Sequence, residues 1–424
     1  MKRLLRRLYL ATLGAALAAF ALAERTRRAR GRRPPSGPPA RILVLRFGLL
    51  GDGTALLSPT LQHLRERFPA ARIHVLATPL QRPLLVDLPF VDAVLTWTAG
   101  DLTEPRVGLR PAAWRAAWQT VGALRRGDYD LALACYGRIG SAVALLSGAP
   151  RRLGFAGEAF PFTLTESLSG RRFTRPAWHE AHYGVALVDL AAGDSARLRS
   201  GLRPQAPPLR LCVTAAGRAG LARLLPAGEA RRSGGAPDAR DGAHRGRLIA
   251  LHPGATNGNA KRWPLPYWSA LAGRLRRDGA TVVLVGGPED RALARTIRDA
   301  AGGDILDVTG KTTLPELLAL LERADALVSG DSGPLHLAVA VERPVVAIHG
   351  PTDPGESGPF RAARAAVLRH VLPCSPCYTL DAVADCPLGH TLCQRLVSPD
   401  EVHRALAGVL APPAAPAAPA APAG

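Results

Sequence analysis

Short segments spread along the 424-residue chain carry the residue types from which a group-transfer site is built. In RFGLLGDGTALLSP, Gly48, Gly51 and Gly53 surround Asp52 at the end of an apolar run. Glycines there let the backbone approach a ligand, and a carboxylate at that place suits a general base that takes a proton from an attacking hydroxyl. A helix cap is the competing reading of Asp52. The spacing is not GxGxxG with an acidic residue about twenty further on, which argues against a dinucleotide site. HPGATNGNAKRWP places Thr256 ahead of Lys261, whose point charge suits a phosphate; alternatively Lys261 is solvated beside a packed Trp263. In VGGPED, Gly286 and Gly287 open a loop, and Glu289 either accepts hydrogen bonds from ribose hydroxyls or occupies a helix's first turn.

SGDSGPLHLA is the most informative segment. It follows an apolar run and opens a helix, so the amides of Ser332 and Gly333 point from a helix N-terminus toward an anion, and a pyrophosphate fits there. Asp331 carries a like charge and reads as a loop organiser or an acceptor for sugar hydroxyls. His336 either touches a phosphate or packs. HGPTDPGESGP is another strand-end loop that lines the same cleft.

The elements that must position these residues are legible from periodicity. Strands are expected at Ile42–Leu45, Ile73–Ala77, Ala93–Thr96 and Asp130–Ala134, with helices at Thr60–Arg67, Ala112–Arg126 and Ser141–Leu146. A second series starts at Leu248, with strands Ile249–His252, Thr281–Val285, Ile305–Asp307, Ala326–Ser329 and Val345–His349. Its helices fall near Trp268–Arg277, Arg291–Ala301, Pro315–Arg323 and Leu335–Val341. Capping boxes pair Thr313 with Glu316 and Ser398 with Glu401. Alternating strands and helices imply α/β folding with parallel sheets, and two doubly wound domains in series leave a cleft faced by the carboxyl ends of their strands. The expected division is a basic and apolar membrane-associating segment at 1–40, a first Rossmann-like domain at 41–212, a linker or disordered insertion at 213–247, a second Rossmann-like domain at 248–410 and a disordered Ala/Pro tail at 411–424.

Composition narrows the partners. With 47% hydrophobic residues the chain buries a sizeable core, and 54 Lys and Arg against 34 Asp and Glu give +20. Such a charge suits nucleic acid, an anionic membrane or a phosphorylated substrate. Much of the excess is Arg within 2–33 and 218–247, and basic residues do not interleave with aromatics, so no nucleic-acid partner is expected. The apolar stretch Leu8–Ala23 between arginine-rich flanks reads in three ways: an uncleaved interfacial or tilted membrane anchor, a signal peptide ending at Ala21-Leu22-Ala23, or a neutral extension. As a helix its sixteen or so residues reach only about 24 Å. Arginines just after it resist export, which favours the cytoplasmic face of the inner membrane.

The ordered set RFGLLGDG, RIGSAVALLSGAPRRLGF, AKRWP, VGGPED, SGDSGPLHLA and HGPTDP resembles the bacterial heptosyltransferases, glycosyltransferase family nine, over Arg41 to Leu410. The resemblance implies a GT-B fold, two Rossmann-like domains facing across a cleft. It implies metal-independent, inverting transfer from ADP-heptose or a related nucleotide sugar to a lipopolysaccharide-type or other envelope glycan, with no cofactor beyond the donor. The catalytic aspartate then falls on Asp52, the phosphate-binding lysine on Lys261, and the donor loop on Asp331, Ser332 and Gly333. Thr256, Gly287, Glu289 and His336 complete the expected donor side, and Gly51, Gly53 and Arg138 the acceptor side.

Two departures stand out. Gly53 replaces the family's usual aliphatic residue, which would loosen the catalytic loop, and the insertion after Ala215 is long. Rival readings are another GT-B transferase, a sugar-nucleotide epimerase, or a silent nucleotide-sugar binder. Arg138, Arg151 and Arg152 meet an anionic glycolipid or are solvated. Cys374, Cys377, Cys386 and Cys393 have spacings that permit a zinc site, a disulfide or ordinary loop cysteines. Cys135 and Cys212 read as core residues. HEAH at His179–His182 lacks the HExxH spacing and belongs to helix packing or the acceptor side.

Overall fold

A computed structural model describes residues 2–29, 37–48, 50–158, 160–169, 178–194, 198, 202–225, 244, 246–255, 259–378 and 385–412. The helix Lys2–Ala29 (α1) is 28 residues long, or about 42 Å, because the arginine-rich flanks continue the turns of the apolar stretch. Leu13, Leu17 and Ala21 of α1 are buried in one cluster with Val121, Leu145, Leu146 and Phe160. Arg125 ties the helix down by pairing with Glu24 at 2.7 Å and lying over the Phe20 ring.

The first sheet forms from short runs buried on both faces, which only a helix-covered parallel sheet accommodates. Arg41–Leu45 (β1) leads through the one-turn helix Leu50–Gly53 (α2) and the helix Ser58–Arg67 (α3) to Arg72–Ala77 (β2). Ala93–Thr96 (β3), Pro111–Arg126 (α4), Leu131–Ala134 (β4) and Gly137–Leu146 (α5) follow. Arg151–Phe155 (β5), Glu166–Leu168 (β6) and the helix Glu180–Ala191 (α6) complete the half. The order is β3-β2-β1-β4-β5-β6, all parallel, with Ile42 beside Ile73 on one flank and Leu131 on the other. β5 and β6 were not expected from the sequence. Their arginine and glutamate hide the pattern, since Arg151 pairs with Glu166 at 2.9 Å across the two strands. Arg152 is buried and donates to the carbonyls of Thr163 and Ala149. Both arginines are committed to the sheet edge rather than to an anionic glycolipid.

The stretch expected to be a linker contains a helix, Ala215–Leu224 (α7), started by Thr214, whose hydroxyl accepts from the Gly217 amide at 2.9 Å. Its glycines look like low complexity but serve contact. A Cβ on Gly217 would lie 2.6 Å from the Pro315 carbonyl, so α7 packs directly on the helix Leu314–Arg323 of the second half.

The second sheet repeats the first. Its elements are Leu248–His252 (β7), Leu265–Arg277 (α8), Thr281–Leu284 (β8), Arg291–Ala301 (α9), Leu306–Asp307 (β9), Leu314–Arg323 (α10), Ala326–Gly330 (β10), Gly333–Ala340 (α11), Val345–Ile348 (β11), Ala365–Leu368 (β12) and Pro399–Leu410 (α12). The order is β12-β11-β10-β7-β8-β9, the same winding as the first sheet. β12 is an unanticipated edge strand. Both expected capping boxes form, at Thr313 with Glu316 and at Ser398 with Glu401. In each sheet the strand order reverses beside the first strand, between β1 and β4 and between β7 and β10. A crevice opens at the carboxyl ends of such a pair, and ligands of doubly wound sheets bind there. One apolar core runs through both halves, joining Ile42 and Leu133 to Leu209, Leu211, Leu335 and Val345.

Candidate functional site

The loops leaving β7 and β10 are neighbours because those strands pair, and this brings together residues 70 positions apart. Lys261 Nζ donates to Asp331 Oδ2 at 2.9 Å, with both side chains largely buried. The ammonium also lies 4.1 Å from the centroid of the Tyr378 ring. Burial alone would raise the Asp331 pKa, but Lys261 and the surrounding His349 and His336 hold it well below the usual carboxylate range. Asp331 also accepts from the Ser357 hydroxyl at 3.2 Å, and His336 Nε2 stands 4.0 Å from its second oxygen. Asp331 therefore organises the loop, and its principal partner is the lysine expected to meet a phosphate.

Ser332 is the N-cap of α11 but does not cap it with its side chain. Its hydroxyl lies 3.1 Å from His252 Nδ1 and 2.8 Å from the Ser329 hydroxyl. His252 in turn stands 3.7 Å from Asp290. Burial opposes ionisation of Asp290, and the His252 contact with the Gly287 amide more than reverses it. Gly254 and Gly286 make room for this carboxylate, because a Cβ on either would lie within 2.6 Å of it. The buried acid of VGGPED is thus Asp290, whereas Glu289 is exposed. Thr256 lies outside the described residues.

The first lobe meets this cluster through glycine. A Cβ on Gly51 would lie 2.9 Å from the His336 ring and 3.0 Å from Gly333 Cα, so α2 approaches the N-terminus of α11 more closely than any side chain allows. The backbone of Asp52 belongs to this same turn, while its side chain lies outside what is described. Asp52 is the third residue of a four-residue helix, and the caps of the following turns fall on Thr54 and Leu57, so no cap position coincides with it. Arg138 is half-buried in the first turn of α5, at the reversal point of the first sheet.

Gly53 is explained by Gln81, which is fully buried. A Cβ at Gly53 would lie 1.7 Å from Gln81 Nε2, the atom that donates to the Gly48 carbonyl at 3.1 Å. Gln81 Oε1 accepts from the Thr78 amide at 3.0 Å, so this side chain braces the Asp52 loop. The missing aliphatic residue does not leave the loop slack. Gly53→Ala is expected to expel Gln81 from these bonds at a cost of about 1–3 kcal/mol and to lower turnover. Thermal melts and steady-state rates test this, and unchanged values for both would refute the bracing role.

Other residues here carried little signal in the sequence. Arg46, at the exit of β1, is buried in an ion pair with Glu180 at 2.6 Å and lies over the Tyr136 ring. Next to Glu180, His179 Nδ1 caps α6 by accepting from the Ala181 amide, and its Nε2 donates to the Gly358 carbonyl of the second lobe at 3.0 Å. HEAH is therefore a helix start and an inter-lobe contact. Burial lowers His179 and His336 to about 4, with His182 reinforcing the effect on the first and His179, His349 and Lys261 on the second, against the pull of Asp331.

Both folded values lie below the ordinary 6.5, so the unfolded chain binds more protons between pH 6.5 and 4. Stability is expected to be full above pH 6.5 and to fall toward pH 4, by roughly 3 kcal/mol for each imidazole at the limit, with further loss below as Asp331 protonates. Denaturation midpoints should drop over that window, and less steeply in His336→Gln. Equal midpoints at pH 7 and 4.5 would contradict the assignment.

All six cysteines are free. Cys135 is buried in the core, and Cys212 is half-buried against it. Cys374, Cys377 and Cys386 lie near enough to Cys393 that, after burial, they raise its pKa further. Their sulfurs do not form a ligand set within 4.8 Å of one another. Their loop folds over the Lys261 segment, where Asp385 accepts from the Asn259 amide at 3.0 Å and Asn259 Oδ1 accepts from the Cys386 amide at 3.2 Å.

Comparison with known proteins bears on the family and the fold. The profile of glycosyltransferase family 9 (heptosyltransferase) matches residues 222–386. The chain is 27% identical over 341 residues to lipooligosaccharide heptosyltransferase 2 of Haemophilus ducreyi, covering 78% of this chain and 88% of that one. It is 36% identical over 126 residues to lipooligosaccharide heptosyltransferase 2 of Haemophilus influenzae, a match spanning 36% of that relative's length. The solved structure of Escherichia coli ADP-heptose lps heptosyltransferase II superposes with a TM-score of 0.66 at 26% identity, over 87% of this chain and 98% of that one. The family profile, and relatives aligned over 78% of the chain, place it in glycosyltransferase family 9, as an enzyme whose two doubly wound lobes of like winding form the GT-B architecture.

Proposed function

We propose that the enzyme transfers heptose, or a related sugar, from an ADP-activated donor to a lipopolysaccharide-type envelope glycan with inversion at the anomeric carbon. The observation that carries this reading is the contact of Gly51 with Gly333 and His336, which sets the Asp52 turn against the donor cluster. The acceptor hydroxyl loses its proton to Asp52 and attacks the anomeric carbon opposite the departing diphosphate. Lys261, oriented by Asp331, brings its positive charge to the diphosphate, and the amides at the start of α11 add partial positive charge. This combination supplies cationic stabilisation from the protein itself, so a metal-independent reaction is the reading adopted. Residues 41–212 form the acceptor lobe, with Arg138 assigned to the glycan, and 248–410 the donor lobe, with Thr256, Gly287 and Glu289 assigned as donor contacts.

The same reading places the enzyme at the cytoplasmic face of the inner membrane. The apolar window Leu4–Thr26 has one face packed on the first lobe, while Leu4, Leu5, Leu8 and Leu22 are exposed. A helix bound to its own protein along one side suits an in-plane anchor better than a span. The test is mass spectrometry of the protein incubated with a panel of nucleotide sugars and membrane glycolipid extract. A heptosylated glycolipid and free ADP are expected. Epimerised donor, or bound donor without a transferred sugar, would overturn the assignment.

A further inference from the structure

At the end of the second sheet opposite the cleft, three side chains from separate segments converge. His244 lies in the turn before β7, Asp278 lies between α8 and β8, and His403 is in the second turn of α12. One ligand atom from each lies within 4.8 Å of the others. His403 Nε2 and Asp278 Oδ2 are 2.6 Å apart, and the His244 and His403 rings meet edge to face with centroids at 4.5 Å.

His244 is the unusual member. The residue is 3% exposed, and among the described residues neither ring nitrogen has a hydrogen-bond partner. Leaving both polar atoms of a buried imidazole unsatisfied costs free energy that a ligand would recover. The nearby arginines do not spoil the site, because Arg247 pairs with Asp325 and Arg274 with Asp400. Asp278 is exposed, which leaves an open side for water as a fourth ligand.

We propose that His244, Asp278 and His403 bind one zinc-type divalent cation, which fastens the segment entering β7 to α8 and α12. Two imidazoles and one carboxylate form a mixed nitrogen and oxygen set suited to such an ion. Seating it requires the His403 to Asp278 separation to open to about 3.3 Å, the spacing of two ligands held about 2.0–2.1 Å from a tetrahedral ion. The site lies at the amino ends of β7 and β8, whereas Lys261 and Asp331 follow the carboxyl ends of β7 and β10, so its role is structural. The segment it secures is already held by Gly246, whose amide donates to the Gly279 carbonyl at 2.9 Å.

Cobalt(II) binding to the full-length protein tests the proposal, because cobalt bound to thiolates shows a charge-transfer band that nitrogen and oxygen ligands lack. One equivalent is expected, with ligand-field bands, no thiolate band and a melting temperature raised by a few degrees. His403→Ala, His244→Gln and the near-isosteric Asp278→Asn should each weaken binding at least about 10-fold while leaving sugar transfer unchanged. Failure to bind cobalt, binding that survives all three substitutions, or a thiolate spectrum assigning the metal to the cysteine loop would each overturn it.

Discussion

Lys261→Ala is expected to lower kcat/KM by about 10² to 10³-fold and, separately, to destabilise the fold by about 3–5 kcal/mol. The two losses have different origins. Catalysis loses the charge that faces the leaving diphosphate, whereas stability falls because Asp331, itself buried, keeps its negative charge without its principal partner. A double replacement separates them. Lys261→Met with Asp331→Asn removes both charges, so denaturant unfolding should return most of the stability while transfer remains depressed. Were Lys261→Ala to melt like the parent and turn over normally, the lysine would be neither a structural partner nor a phosphate ligand. Were the double variant to regain activity, the leaving group would be stabilised from elsewhere, leaving only the α11 amides among the groups proposed here.

This pairing also marks the limit of what sequence could tell. Lys261 and Asp331 stood out separately because each follows a strand and lies in a loop rich in Gly or polar residues, a local signal. Their contact depends on β7 lying beside β10, and the like charge that marks Asp331 as a loop organiser does not by itself point to Lys261. The central strands were legible because their runs are apolar on both faces, as in Leu131–Ala134 and Leu248–His252. The edges were not. β6 is the three-residue run Glu-Ser-Leu and β12 alternates exposed and half-buried positions, so neither carries a continuous apolar signature. α7 was hidden by glycines that exist for close helix packing. In VGGPED the sequence points to Glu289, whereas the space left by Gly254 and Gly286 makes its neighbour Asp290 the buried acid. Gln81 and Tyr378 act through contacts distant in sequence, and no local pattern announces them; HEAH marks His179 as part of helix packing but not its bond to Gly358 of the other lobe.

Asp52→Asn should produce the largest catalytic loss, about 10² to 10⁴-fold in kcat, with donor affinity and melting temperature close to those of the parent. The expectation follows from the backbone. Residue 52 lies in a single turn pressed onto the start of α11 by Gly51 and braced through Gln81, and no helix-cap position falls on it. An amide at this position preserves size and polarity but cannot take a proton from the acceptor hydroxyl. Donor binding, measured calorimetrically with ADP, should be spared because Lys261 and the α11 amides are untouched. A variant retaining parental kcat would move the proton acceptor to another residue.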